Sequence, residues 1–276
     1  MKFQEAILTN LNIDKRIIRL CRGDIDIPYI SSSYNQVTDY WYSHPPALIP
    51  LFIREGASYY GLLKHWFTNR KPTYIKYDLE WKYMLEYARN PDQLITLMIL
   101  NMDMVAEEIT EEILKFAQEI GYPNPQDIDD FAEEYGDNPL HIEKLKFLKD
   151  DTPLIYVNNL NDYTGEYPSS ERLFNAKALP NSCSYEIADV NYISGLENTP
   201  EWLNPHSNKK ELFGSYINEN ELGKAWLTLN STGWKLNDVA VALRQLVDLS
   251  NDATFHLVAK NWIGGWEKST FSDGQY

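Results

Sequence analysis

Leu94, Ile95, Leu97, Met98, Ile99, Leu100 and Met102 make the segment after Asn90 apolar on nearly every side. A helix of that kind must be covered on more than one face, so the surrounding chain has to supply a sheet or further helices. Its start is well marked. Asn90 is suited to cap it, Pro91 fits the first turn, and Gln93 is placed to return a bond to the cap. Just upstream lie three strand candidates, residues 47–54, 58–66 and 73–78, with Glu55-Gly56 at hairpin distance between the first two. Thr73-Tyr74-Ile75-Lys76-Tyr77 alternates as a strand with one wet face does. An antiparallel meander is the simplest arrangement, with the apolar helix packed against it. Pro50 cannot donate to a ladder and belongs at an edge or a bulge. Residues 81–89 carry Trp81, Met84, Leu85 and Ala88 at helical spacing, which predicts a short helix there.

Around this centre the periodicity is helical. Residues 3–22 place Phe3, Ile7 and Leu11 on one face, then Ile17, Ile18 and Cys21 after a break near Asp14, with Gly23 as the stop. Tyr34, Tyr40, Trp41 and Tyr42 read as aromatics wrapping a core. Downstream, Val105, Ile109, Ile113, Ala117 and Ile120 form a stripe ended by Gly121. Pro125 opens a helix with Ile128, Phe131, Ala132 and Tyr135 inward, and Pro139 opens another to about Lys149 with Leu140, Leu145 and Leu148 inward. Asp150-Asp151-Thr152-Pro153 is the boundary candidate. It divides an α+β unit over 1–150 from a mainly helical 151–276, unless the two form one continuous domain. Residues 154–157 read as a strand, and 158–210 show no strong period. Leu222, Ala225, Trp226 and Leu229 make a helical stripe. Asn237 is expected to cap the next helix, with Leu236 and Val241 as a staple and Val239, Leu243 and Leu246 inward. Asp252 opens a last helix through Phe255, Val258, Ala259 and Trp262, with Gly264-Gly265 expected to end it. The fold class expected is α+β: a small antiparallel sheet against helices, with a mainly helical C-terminal part.

Charge is the strongest asymmetry. Between residues 103 and 137 twelve acids face Lys115 alone, whereas the rest of the chain has 28 acids against 24 bases. The net charge of −15 repels phosphates and anionic membranes, which argues against nucleic acid or a membrane surface and for a basic protein as partner. The expected contact surface is Glu107, Glu108, Glu111, Glu112, Asp127, Asp129, Asp130, Glu133 and Glu134. Glu108 with Glu112, and Asp130 with Glu134, stand one helical turn apart and repel. Tyr122, Phe131 and Tyr135 are the candidate aromatic anchors beside them. Two isolated cysteines, Cys21 and Cys183, speak for a reducing compartment and against a disulfide framework. The N-terminus lacks a signal-like region and the longest apolar run is far short of a membrane span of ~20 residues, so a cytoplasmic location is expected.

Motifs for catalysis are absent: there is no phosphate-cradling glycine loop, no G-x-S-x-G elbow and no H-E-x-x-H. No cofactor or metal is expected. Tyr59, Tyr60, His65 and Trp66 form an aromatic cluster with a histidine that is suited to line a pocket. An enzyme reading would use His65 with Asp78 or Glu80 as acid and base. A third reading, a subunit of a phage- or plasmid-encoded assembly, requires a large apolar surface patch.

The proline-rich lead-in, the LIPLF strand, the G-x-x-Y-x-G hairpin (Gly56, Tyr59, Gly61) and the ARNPDQL helix start resemble the SUKH superfamily, which includes bacterial immunity proteins that neutralise polymorphic toxins. The resemblance covers residues 46–100, and the family's N-terminal glycine-containing signature has no counterpart here. It implies an α+β fold and a non-enzymatic, toxin-binding role. In that reading the acidic helices occupy the basic cleft of a cognate toxin.

Overall fold

A single antiparallel meander organises the chain: β1 (Asn35–Gln36), β2 (Leu48–Arg54), β3 (Ser58–Leu63), β4 (Thr73–Asp78) and β5 (Tyr83–Ala88), hydrogen-bonded in chain order. The computed structural model describes residues 2–37, 41–54, 58–80, 83–136, 139–157, 200–204, 206–270 and 274–276. Ser58 pairs with Asp78 and Leu63 with Thr73, which fixes the central hairpin. The β2–β3 register shifts between Pro50 and Phe52, so the proline sits at a bulge, where its missing N–H breaks no regular ladder bond. Gly61 lies opposite Pro50. A Cβ there would stand 2.4 Å from Leu48 Cδ1 and 2.6 Å from the Ile49 carbonyl oxygen, so only glycine fits.

Both faces of the sheet are covered. Every residue of β3 is buried. On one face Tyr60 stacks on Tyr34 (4.9 Å between centroids) and meets Tyr87 edge-on at 5.2 Å. The apolar helix α3 (Pro91–Ala106) lies on that side, with Asn101 Nδ2 donating to Tyr87 Oη at 2.8 Å. Asn90 Oδ1 accepts from the Gln93 N–H as expected, while Gln93 Oε1 accepts from the N–H of Arg89, one residue before the cap. Helices α1 (Lys2–Asn10) and α2 (Lys15–Arg22) precede the sheet, and Arg16 bridges Asp14 to Asp92 of α3 at 2.8 Å each. Helices α4 (Glu111–Ile120) and α5 (Gln126–Tyr135) pack on α3. The C-terminal helices α6 (Lys209–Asn218), α7 (Leu222–Leu229), α8 (Leu236–Leu249) and α9 (Ala253–Lys268) serve the other face. There Trp226 Nε1 donates to His65 Nδ1 at 3.2 Å, Trp262 Nε1 to the His44 carbonyl at 2.9 Å, and the Ala47 N–H to Asn230 Oδ1 at 2.6 Å. One core cluster draws residues from Ile7 to Tyr276, from both sides of residue 150.

The class is α+β, as read from the sequence. Several elements differ. The segment expected as a helix over 81–89 is strand β5; Trp81 itself lies outside the described residues. Residues 154–156 form a 3-10 turn rather than a strand, and the helix expected from Pro139 is a 3-10 turn ending at Lys144. The wet face expected of β4 is covered, leaving only Lys76 and Asp78 partly exposed. Asn237 lies inside α8, which starts after Lys235, and Val241 is exposed, so no staple forms. Helix α9 runs through Gly264-Gly265 to Lys268. Glu55-Gly56, Phe3's side chain, Tyr40, Asp137, Leu140's side chain and Cys183 lie outside the described residues. Among the described residues no helix is long and apolar enough to cross a membrane.

Candidate functional site

The sequence placed nine carboxylates on one acidic flank, and all but the half-buried Asp129 are exposed. Among the described residues none of the nine is in an ion pair; the flank's one lysine, Lys115, meets Glu119 at 3.9 Å. The helices carrying them differ from expectation. α3 stops at Ala106 because Glu107 takes a left-handed conformation (φ 64°) and donates its N–H to the Asp103 carbonyl at 2.7 Å. Thr110 then caps α4, its hydroxyl accepting from the Ile113 N–H at 3.3 Å. Glu108 therefore lies between helices, and its helical repulsion with Glu112 is lost. Glu111 and Glu112 in the first turn of α4, and Asp127 and Asp129 in that of α5, sit where the helix dipole favours negative charge. The Glu112 carboxyl is held below the usual range by its own backbone N–H, the Thr110 hydroxyl and the Tyr29 hydroxyl. Asp130 and Glu134 remain a repelling pair on α5.

Behind this surface is an acid the sequence did not single out. Asp103 of α3 is 3% exposed, its Oδ1 has no hydrogen-bond partner, and Asp129 and Glu133 of α5 stand close to it. Burial first, then the negative charge of Asp129, a hydrogen bond shared with Asp129 and the charge of Glu133, pushes its pKa up to about 6. The expected anchors are mostly out of reach: Tyr122 and Phe131 are buried in the core, and Tyr135 is half-buried against His141 at 4.6 Å. In their place Met104, Val105 and Leu114 are exposed within the same stretch of chain. Val105 was expected inward and is 59% exposed, because the break at Glu107 ends the helical phase.

The aromatic set does not converge. Tyr59 and Tyr60 point to opposite faces of β3; β3 ends at Leu63, before His65 and Trp66. Trp66 packs on Trp226 (5.7 Å) and Phe255 (5.4 Å). His65 is 2% exposed and accepts from Trp226, and it borders a small cavity of about 90 Å³ with Thr73, Glu86 and Arg89. Asp78 pairs with Ser58 at the far end of the hairpin from His65, so the acid–base pair expected from sequence proximity is not assembled.

A larger feature went unread. A cleft of about 1150 Å³ opens between α1, the sheet, α8 and α9. Its aromatic wall is Trp41, His44 and Tyr59, with ring centroids 5.2 Å (Trp41–His44) and 5.6 Å (His44–Tyr59) apart. Ile7, Pro50 and Ala259 extend the apolar lining. His44 Nδ1 sits 2.8 Å from the Tyr42 carbonyl, which can only accept, so Nδ1 carries the hydrogen and Nε2 keeps the lone pair. Burial holds the His44 pKa down, to about 4. Arg244, Asp248, Lys260, Glu267 and Lys268 carry charge around the cleft, and Arg244 meets Glu267 at 3.0 Å across α8 and α9. These residues lie some 200 positions apart in sequence, so no local pattern linked them; Gly264-Gly265 inside a helical stripe was the one available signal.

Among the described residues no three His, Cys, Asp or Glu side chains are arranged to hold a metal ion. No protein-family model, curated protein or solved structure matches the chain.

Proposed function

We propose that the protein is a non-enzymatic binding module whose α3–α5 surface takes a basic protein, with a toxin neutralised in the manner of an immunity protein as the specific form of that role. The observation that carries this reading is Asp103 with its crowded neighbours. A buried carboxyl hydrogen-bonded to a second acid, Asp129, crowded by a third, Glu133, and with its Oδ1 lacking a partner is an arrangement that a cationic group from outside would relieve. Exposed carboxylates lie along the same stretch of chain, none of them in an ion pair among the described residues, with Lys144 near Glu134 through the Tyr135 hydroxyl, and Met104, Val105 and Leu114 are exposed in that stretch. Charge of this kind chiefly speeds association and selects partners, while apolar burial slows release. The SUKH resemblance of residues 46–100 supports the toxin-binding form.

The test is the association rate with a basic toxin domain encoded beside this protein. The rate is expected to fall steeply with salt, and about tenfold or more when Glu107, Glu108, Glu111 and Glu112 are all changed to glutamine. The same variant should fail to protect cells that express the toxin. An association rate indifferent to salt and to the four substitutions removes the proposal.

A further inference from the structure

We propose that the cleft beside α9 is a second, independent site, which binds a small amphipathic carboxylate: an apolar body seated against Trp41, His44 and Tyr59, with its carboxylate at Lys268 on the rim. Three observations carry it. The volume, about 1150 Å³, is ample for such a molecule, since ligand pockets commonly span ~300–1,000 Å³. The lining divides by chemistry, with aromatic and aliphatic groups from α1, β2, β3 and α9 within and Arg244, Lys260 and Lys268 against Asp248 and Glu267 at the rim. Arg244 is engaged by Glu267, while Lys268 is exposed with no ion pair among the described residues. Lys268 thus offers a cation at the rim that an anionic head group can engage.

The glycine pair in the middle of α9 is the third. Gly265 is required by packing, because a Cβ there would come within 2.3 Å of Trp41 Cδ1. Gly264 is not: a Cβ there would meet nothing within 4 Å, and the residue lines the cleft. Glycine inside a helix is unfavourable relative to alanine. At position 264 its visible consequence is open space in the cleft, the property a ligand needs.

The test uses the full chain with laurate and 2-naphthoate as probes, a flexible and a rigid apolar body on the same carboxylate, and dodecanol as the neutral control. Calorimetry is expected to give a micromolar dissociation constant for at least one carboxylate and about tenfold weaker binding of dodecanol than of laurate, the equivalent of ~1.4 kcal/mol. The stronger carboxylate identifies the body preferred. Lys268→Gln should weaken the carboxylates about tenfold and leave dodecanol unchanged. Gly264→Leu, which projects into the cleft, should abolish binding while the melting temperature holds or rises. Should that variant not fold, amide shifts in the unaltered chain serve instead, expected at Ala259, Gly264, Gly265 and Trp41. No binding by either carboxylate, binding that survives a folded Gly264→Leu, or shifts confined to other regions would overturn the site. Because α3–α5 takes no part in this experiment, its outcome leaves the basic-partner reading to its own test.

Discussion

Asp103 and His44 give the protein two opposed responses to mild acid. Folded Asp103 keeps its proton up to about pH 6, whereas the unfolded chain releases it near pH 3.8. In that window the folded state binds more protons, so this residue's contribution to stability falls as pH rises. His44 has the reverse sign. The unfolded chain takes up a proton near pH 6.5 and the folded one only near 4, so its contribution is lost as pH drops through that interval. The two offset each other in the native chain. Asp103→Asn keeps the shape and removes one of them. Each pH unit separating the folded and unfolded titrations is worth about 1.4 kcal/mol, so the substitution should stabilise the protein by roughly 1–3 kcal/mol at pH 7 and by almost nothing at pH 4. Urea unfolding at pH 4, 5.5 and 7 checks this, and an equal effect at all three would show that Asp103 is not a protonated acid in the fold. None of this was legible in the sequence, where Asp103 counted as one acid among twelve. Its burial follows from the phase of α3, and its crowding from the packing of α5.

Local capping chemistry was legible in the sequence, whereas one strand with two dry faces was taken for a helix. The start of α3 was legible because capping chemistry is local: Asn90, Pro91 and Gln93 lie within one turn. Strand β5 was not. Alternation marks a strand only when its faces differ, and here Met84, Leu85, Tyr87, Ala88 and even Glu86 are all buried. Glu86 is tolerated because its Oε1 accepts from the Leu154 N–H at 3.0 Å, a contact from 68 residues away. The break between α3 and α4 was hidden for a different reason. Glu107 adopts a left-handed φ of 64° that glycine would normally supply, so nothing in the sequence marked the stop. Glu107→Gly should therefore raise stability by about 0.5–1 kcal/mol, since a left-handed non-glycine residue costs roughly 1–2 kcal/mol and glycine's extra freedom when unfolded takes part of the gain back. A lowered urea midpoint would contradict the assigned conformation. At Gly61 the sign reverses. The groups a methyl would meet include the Ile49 backbone, which cannot rotate away, so Gly61→Ala should destabilise by about 2–3 kcal/mol in the same measurement.

At the scale of the molecule, the question is whether the sheet can stand without the C-terminal helices. Leu48, Tyr59, Ile75, Tyr77 and Met84 are buried, and Tyr59 and Tyr77 pair across the central hairpin and share a face. Contacts from beyond residue 200 reach that side at His44, Ala47 and His65, and Tyr276 lies beside Tyr77. The last residue is itself held, with its carbonyl accepting from the Gly233 N–H at 2.9 Å and its hydroxyl donating to the Leu229 carbonyl. Uncovering a large apolar side chain costs roughly 1.5–3 kcal/mol. Five of them come to about 7.5–15 kcal/mol, the same size as the roughly 5–15 kcal/mol by which a typical domain is stable. A fragment ending at residue 157 is therefore expected to lose cooperative unfolding and to bind hydrophobic dye, although it retains the whole meander and the α3–α5 surface. Adding residues 158–276 as a separate chain should restore a cooperative transition, because the lost contacts are noncovalent. A fragment that melts cooperatively on its own, with the near-ultraviolet signal of packed tyrosines, would show instead that residues 1–157 complete their own core and that the C-terminal helices are an addition to it.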